Sequence, residues 1–301
     1  MPKRNRAART AWGPIVQVAL EQLVPLDQRI VHDAMAFPLL PGYLKPFVSL
    51  LRIAPLRNVL WSVIERRVPG IRGGLLCRKR YIDDKLDDTL RHGIESLVIL
   101  GAGMDTRAYR LPAASAVQVY EIDLPENIEY KEAHIRRLMG TVPAHVKLVP
   151  IDFNCQELDK VLPGAGYSPA QKSFFVWEGV TQYISEAAVR KVFAFLDQAS
   201  QGSRLAFTYI RKDFIEGKQL YGLDVLYRTT RVTKQLWQFG LEPEAVGTFL
   251  GGYGWSEVEQ VGSAEYQERY LKPVGRVMPV MQVERMVYAE RKSNHETPLS
   301  A

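Results

Sequence analysis

The hydrophobic rhythm of the chain changes twice. Residues 12–92 carry apolar side chains at helical spacing, as in Ile15, Val18, Ala19 and Leu23, the recurrence expected of amphipathic helices. Prolines and glycines interrupt this part at 38–46 and 69–74. Residues 93–210 instead hold five short apolar runs, at 96–100, 117–123, 145–152, 173–179 and 204–210, with helix-like segments such as 126–139 and 186–200 between them. Short apolar strands alternating with helices predict a parallel sheet with right-handed crossovers. A long helical stretch is expected at about 213–239, followed by two late strands, 255–261 and 283–289, which pair antiparallel at one sheet edge. The predicted fold is therefore α/β and Rossmann-like: a mostly parallel sheet with an antiparallel edge pair, behind an N-terminal helical cap. The expected divisions are a cap over 12–92, a core over 93–291 with a late helical insertion at about 211–252, and disordered tails at 1–11 and 292–301.

Composition narrows the function classes. The 301 residues are 47% hydrophobic and 24% charged, which fits a globular domain with an added cap. The net charge of +6 permits acidic partners. Part of the excess sits in the opening MPKRNRAART, which lacks the aromatic interleaving of a nucleic-acid arm and reads as a solvated tail. No nucleic-acid partner is expected. Cys77 and Cys155 form no C-x-x-C pair, so no metal or redox site is indicated, and both are expected to be packing residues in a reducing cytoplasm. The start has no apolar signal core. No apolar run reaches the ~18 residues of a transmembrane helix. The stretch Leu39–Arg67 is apolar but broken by prolines, and carries Lys45, Arg52, Arg57, Arg66 and Arg67. It reads first as a cap over the active site, and second as a segment lying on anionic lipid.

The chemistry sits where the strands end. Strand one closes on Gly101-Ala102-Gly103, strand two on Asp123, strand three on Asp152 and strand four on Glu178-Gly179. Ligands of open α/β sheets bind beyond these carboxyl ends, and carboxylates gathered there need partners. S-adenosylmethionine supplies them: a ribose diol for Asp123, an adenine amine for Asp152 and an ammonium for Glu178. Singly, each feature has a plainer reading. A Gly-x-Gly turn is common, Asp123 and Asp152 can cap the helices that follow, and Glu178 can pair with an arginine. A dinucleotide site is the competing reading, because Asp123 lies about twenty residues past the glycines. Against it, the third fingerprint position is Thr106, where Gly or Ala is required.

These residues carry a family resemblance. Leu100-Gly-Ala-Gly-Met-Asp-Thr-Arg-Ala-Tyr-Arg110, Tyr120-Glu-Ile-Asp-Leu-Pro125, Trp177-Glu-Gly-Val-Thr-Gln-Tyr183 and Gly73-Gly-Leu-Leu-Cys-Arg78 resemble motifs of the leucine carboxyl methyltransferase family. The close, Glu284-Arg-Met-Val-Tyr-Ala-Glu290, is similar to its bacterial O-methyltransferase members, and the resemblance spans residues 25–291. It implies a class I methyltransferase fold with S-adenosylmethionine as cofactor. It further implies that Arg78 binds the cofactor carboxylate and lies near the acceptor, that Gly101, Ala102 and Gly103 shape the cofactor turn, and that Asp123 with Leu124 binds the ribose. Asp152 and Phe153 are implied to hold the adenine, Glu178 to face the methionine moiety, and Tyr183 to approach the site of methyl transfer.

The acceptor is less legible. None of the five histidines falls in these motifs. That favours a carboxylate, already ionised at neutral pH, over a phenol that benefits from a base, although His32 could reach the site from the cap. A carboxyl or hydroxyl of a small molecule, with polyketide-like acceptors among the candidates, is the first expectation. A protein C-terminal carboxylate is the second, and a non-catalytic cofactor- or membrane-binding protein the third. Oligomeric state leaves no mark on the sequence.

Overall fold

A computed structural model describes residues 12–153, 155–233 and 236–292. The tail assigned to 1–11, and all of the tail assigned to 292–301 except Lys292, lie outside the described residues. Seven strands form one sheet: β1 Ser96–Leu100, β2 Gln118–Asp123, β3 Val146–Pro150, β4 Ser173–Trp177, β5 Arg204–Ile210, β6 Trp255–Val261 and β7 Glu284–Arg291. Their order is β3-β2-β1-β4-β5-β7-β6. β1 to β5 are parallel, with Leu97 beside Val119 and Ile99 beside Val176. β7 runs antiparallel to both β5 and β6. The antiparallel edge expected from the sequence is thus built by inserting the last strand between the fifth and sixth.

Alternation along β1 divides the core in two. Leu97 and Ile99 pack on one face with Leu76, Tyr81, Ile82 and Leu86, which belong to the 21-residue helix Ile71–Arg91. Val98 and Leu100 pack on the other with Phe175, Trp177, Val189 and Phe193. The helices that place the site are α1 Trp12–Glu21, α2 Lys45–Leu50, α3 Ala54–Arg67, α4 Ile71–Arg91, α5 Arg107–Arg110 and α6 Pro125–Met139. α6 starts on Pro125 at its first turn and stops at Gly140, whose φ of 81° no helix accepts, as start and stop chemistry requires. α1 is tied to α4 by Glu21, fully buried, which accepts from Arg72 at 3.2 Å and pairs with Arg276. Burial and the nearby Arg276 push the Arg72 guanidinium down to about 10.

Two expectations are corrected. No single helix spans 213–239 among the described residues. Lys212–Ile215, Asp224–Tyr227 and a π-helical turn at Arg228–Thr233 stand in its place. Gly217, Tyr221 and Gly222 break the run with φ of 74°, 53° and 72°, values no right-handed helix can contain. The cysteines also differ from each other. Cys77 is a packing residue whose thiol burial pushes up to about 12, whereas Cys155 is exposed. No helix among the described residues is long and apolar enough to cross a membrane.

One buried ion pair joins α6 to the sheet behind the site. Lys131 Nζ lies 2.7 Å from Glu121 Oε1, both fully buried, and the Tyr109 hydroxyl donates to Glu121 Oε2 at 2.7 Å. Burial raises the Glu121 carboxyl above its usual range despite Lys131. Removing one member of such a pair leaves a buried charge without its partner. Lys131→Met is therefore expected to lower stability by about 3–5 kcal/mol in urea denaturation. A loss below about 1 kcal/mol would mean that the pair contributes little.

Candidate active site

The strand order reverses between β1 and β4, so their carboxyl ends diverge and leave a crevice. A cavity of about 380 Å³ occupies it. Arg78, Gly101, Ala102, Gly103, Asp123, Leu124, Asp152, Phe153, Glu178 and Tyr183 all line this one space. Residues 105 positions apart in the chain are brought together because parallel strands end on the same side of the sheet.

The turn after β1 is locked to β2. The N–H groups of Gly101 and Ala102 both donate to Ile122 O at 2.8 Å. Gly103 N donates to Asp123 Oδ2 at 2.6 Å, and Leu124 N and Asn127 Nδ2 donate to Oδ1 at 2.7 Å each. Burial raises the Asp123 carboxyl, and the bonds from Asn127, Gly103 and Leu124 only partly offset it. Gly101 is required for a steric reason the sequence did not show. Its φ is 72°, and a Cβ there would lie 2.3 Å from Val180 Cγ2.

Arg78 comes from α4. It is buried, its Nε donating to Glu178 Oε1 at 2.8 Å and its Nη1 to both oxygens of Glu284 at 2.7 and 2.8 Å. Its Nη2 belongs to neither ion pair and lies under Gly179, where a Cβ would approach it to 2.9 Å. Gly179, at φ 68°, lets the guanidinium fill the space a side chain would take. Arg107 is fully buried. It reaches Asp83 at 2.6 Å, Glu178 Oε2 at 2.8 Å and Asp105, and donates to Lys79 O at 3.1 Å. Arg110 completes the network on Asp83 at 2.7 Å. Both oxygens of Glu178 are thus engaged by arginines, with Lys79 at 3.5 Å. Burial alone raises this carboxyl, but Lys79, Arg107 and Arg78 outweigh it and hold Glu178 well below the usual carboxylate range.

Several lining residues escaped the sequence reading. Gln17 Oε1, Asn127 Oδ1, Gln182 Oε1 and Trp237 Nε1 are buried without a hydrogen-bond partner among the described residues, and all four residues line the cavity. Such orphans are uncommon in folded proteins and call for a ligand or ordered water. Asn127 could have been found, since it stands four residues after Asp123 at the start of α6. Gln17, Gln182 and Trp237 carry no local signal. Tyr183 packs edge-on against Trp237 with ring centroids 6.4 Å apart. Glu284 begins β7 and had been quoted only as part of a motif. His32 is exposed, and no histidine lines the cavity among the described residues.

Strand order, the inserted antiparallel strand and a cavity at the switch point define the class I methyltransferase fold. A structure from Thermobifida fusca described as a "putative methyltransferase" shares it at a TM-score of 0.58, 18% identity and 78% and 88% coverage of this chain and that one. A Streptomyces avermitilis protein of the DUF574 family follows at 0.53, 13% identity, and 77% and 88% coverage. The leucine carboxyl methyltransferase profile matches residues 11–197. The chain belongs to that family, and is an S-adenosylmethionine-dependent methyltransferase. Its relatives include two proteins named "Putative S-adenosyl-L-methionine-dependent methyltransferase". One, from Mycobacteroides abscessus, is 29% identical over 88% of this chain and 91% of its own length. The other, from Mycobacterium avium, is 35% identical over 67% of each.

The depressed Glu178 fixes a pH dependence. Its folded carboxyl loses its proton more readily than in the unfolded chain, where a glutamate titrates near ~4.3. Its contribution is full above that value and is lost as pH falls toward the folded value. The raised carboxyls of Asp33, Glu121 and Asp123 act in the opposite sense. Glu178→Gln should start less stable at neutral pH and lose less on acidification below about 4, measured as urea midpoints against pH. Parallel midpoint curves for variant and wild type would contradict this account.

Proposed function

We propose that this enzyme transfers methyl groups to the oxygen of a small-molecule carboxylic acid, without a general base. The residues present suit the cofactor. Asp123 receives three donors, which leaves one of roughly four lone-pair directions for a ribose hydroxyl. The orphaned Asn127 Oδ1 stands beside it as a second acceptor. Arg78, through the Nη2 not used by its two glutamates, holds the carboxylate of the amino acid end. Glu178 positions Arg78, and meets an ammonium only through the lone pairs its arginines leave. Leu124 flanks the ribose, and Asp152 and the flat ring of Phe153 serve the adenine. When bound, S-adenosylmethionine supplies an electrophilic methyl group on a sulfonium, the C–S electron pair going to sulfur as the O–C bond forms.

One observation carries the acceptor class: among the described residues the cavity is lined by no histidine and by no carboxylate without a partner. Six carboxylates line it, Asp33, Asp105, Asp123, Asp152, Glu178 and Glu284, and each has a partner. An acceptor must then arrive ionised. A carboxylic acid, with pKa near ~4, meets that condition at neutral pH, and a phenol near ~10 does not. One part of the lining is apolar and neutral, with Ile64, Val68, Ile210, Leu226 and Met281 together with Tyr183, Gln182 and Trp237. The Trp237 indole N–H orients the acceptor carboxylate. A neutral donor does this without the deep charge stabilisation that would quench its nucleophilicity. Orientation in line with the methyl group is the main catalytic requirement.

Asp123→Ala should weaken S-adenosylhomocysteine binding at least about tenfold by calorimetry, the loss of hydrogen bonds to a charged acceptor. Unchanged affinity would remove Asp123 from the ribose site. Carboxylic acids screened with methyl-labelled cofactor should give base-labile esters, with kcat/KM flat from about pH 6 to 9 because no enzyme base titrates. A rate that rises through a pKa in this window, or label found only in protein or in base-stable ethers, would refute the acceptor assignment. Trp237→Phe is expected to raise KM about fivefold with little change in kcat, one hydrogen bond lost.

A further inference from the structure

α3 has two working faces. Ile64 and the following Val68 line the cavity, and Leu60 and Trp61 pack against the core. Yet α3 buries no residue fully over its fourteen positions. Leu56, Val59 and Val63, spaced three and four apart, share a face that is open to solvent, Val59 being 64% exposed. The preceding segment repeats the pattern. Tyr43, Phe47 and Leu50 fall at i, i+4 and i+7, Tyr43 is 73% exposed, and Ile53 bridges the two stripes. Seven large apolar side chains are thus exposed within 21 residues of chain. Exposed patches of this size and continuity mark interaction sites.

Charge selects the occupant. Lys45, Arg52, Arg57, Arg66 and Arg67 lie on the same segment, against a single acid, Glu65, which accepts from the Gly70 N–H. None of the five cations has an ion-pair partner among the described residues, whereas Arg72, Arg78 and Arg107 nearby are all paired. Arg52, Arg66 and Arg67 are exposed at the ends of the α3 stripe. A second copy of this chain would set five cations against five across a two-fold axis. Apolar side chains interleaved with unpaired cations on a surface helix match the boundary between acyl chains and anionic headgroups.

We propose that the α2–α3 face docks on an anionic membrane surface, with Tyr43, Phe47, Leu50, Ile53, Leu56, Val59 and Val63 at the acyl boundary and Arg52, Arg66 and Arg67 among the headgroups. Because the other side of α3 lines the cavity, docking brings the active site to the bilayer. The inference goes beyond methyl transfer and does not depend on the acceptor class.

The test is co-sedimentation of the full chain with vesicles of phosphatidylcholine, alone or mixed with phosphatidylglycerol. Two variants are compared: Val59→Asp/Val63→Asp, and Arg52→Gln/Arg66→Gln/Arg67→Gln. None of these five residues touches the cavity, so unchanged thermal melting and S-adenosylhomocysteine binding serve as fold controls. The expected result is binding to the phosphatidylglycerol vesicles only, weakened by molar salt. The aspartate variant should bind at least about tenfold less, and the glutamine variant should weaken by about fivefold per charge removed. Absence of binding to anionic vesicles overturns the proposal. So does binding that both variants retain, which would place the contact elsewhere on the chain. A concentration-dependent dimer in light scattering that the aspartate variant abolishes also overturns it, in favour of a second copy on this face.

Discussion

Arg78 sits at the joint of four elements, and the site depends on how it is held. It comes from α4, takes Glu178 from the end of β4 and Glu284 from the start of β7, and shares Glu178 with Arg107 of α5. Each of these charges is buried, and a buried charge is tolerated only when its partners are complete. The network therefore acts as a register. If β4 or β7 shifted by one residue, a carboxylate would turn to the opposite face and leave the guanidinium uncompensated. Gly179 belongs to the same arrangement, since any side chain there would displace the arginine.

Around this joint the cavity divides by chemistry. The half under β1 and β2 gathers Asp123, Asn127 and the locked Gly101–Gly103 turn, carboxylate and amide oxygens beside closely packed backbone. The half under α3, β5 and the loop carrying Trp237 is apolar, with neutral donors at isolated points. Every carboxylate lining the cavity among the described residues already has a partner. Arg107 is fully engaged by acids and a carbonyl, whereas Arg78 keeps its Nη2 outside both of its ion pairs, and together they keep Glu178 ionised.

The N-terminal helices connect this interior to the outside of the molecule. α1 contributes Gln17 and Val18 to the cavity, and α3 contributes Ile64. α1 is anchored through Glu21 to Arg72 and Arg276. Among the described residues α3 makes no ion pair of this kind, and its outer stripe is left to solvent. The helix lines the cavity on one side and exposes apolar and basic residues on the other.

The sequence by itself determined the sheet, the strand ends and the family, because these rest on local signals. Five apolar runs fall on β1 to β5 within a few residues, and each acid or glycine at a run's end lies at the cavity. Where the local signal was ambiguous, tertiary structure decided. The stretch 213–239 has helical spacing, but Gly217, Tyr221 and Gly222 take left-handed backbone and break it. The insertion of β7 between β5 and β6 could not be read from periodicity, which is blind to neighbours. Only the folded chain could show that Glu178 is bound by Arg78 and Arg107, that Gly101 is fixed by Val180, and that Gln17, Gln182 and Trp237 face one ligand space. Those contacts join residues up to 220 positions apart, and long-range pairing of buried polar groups leaves no spacing in the sequence from which it could be read.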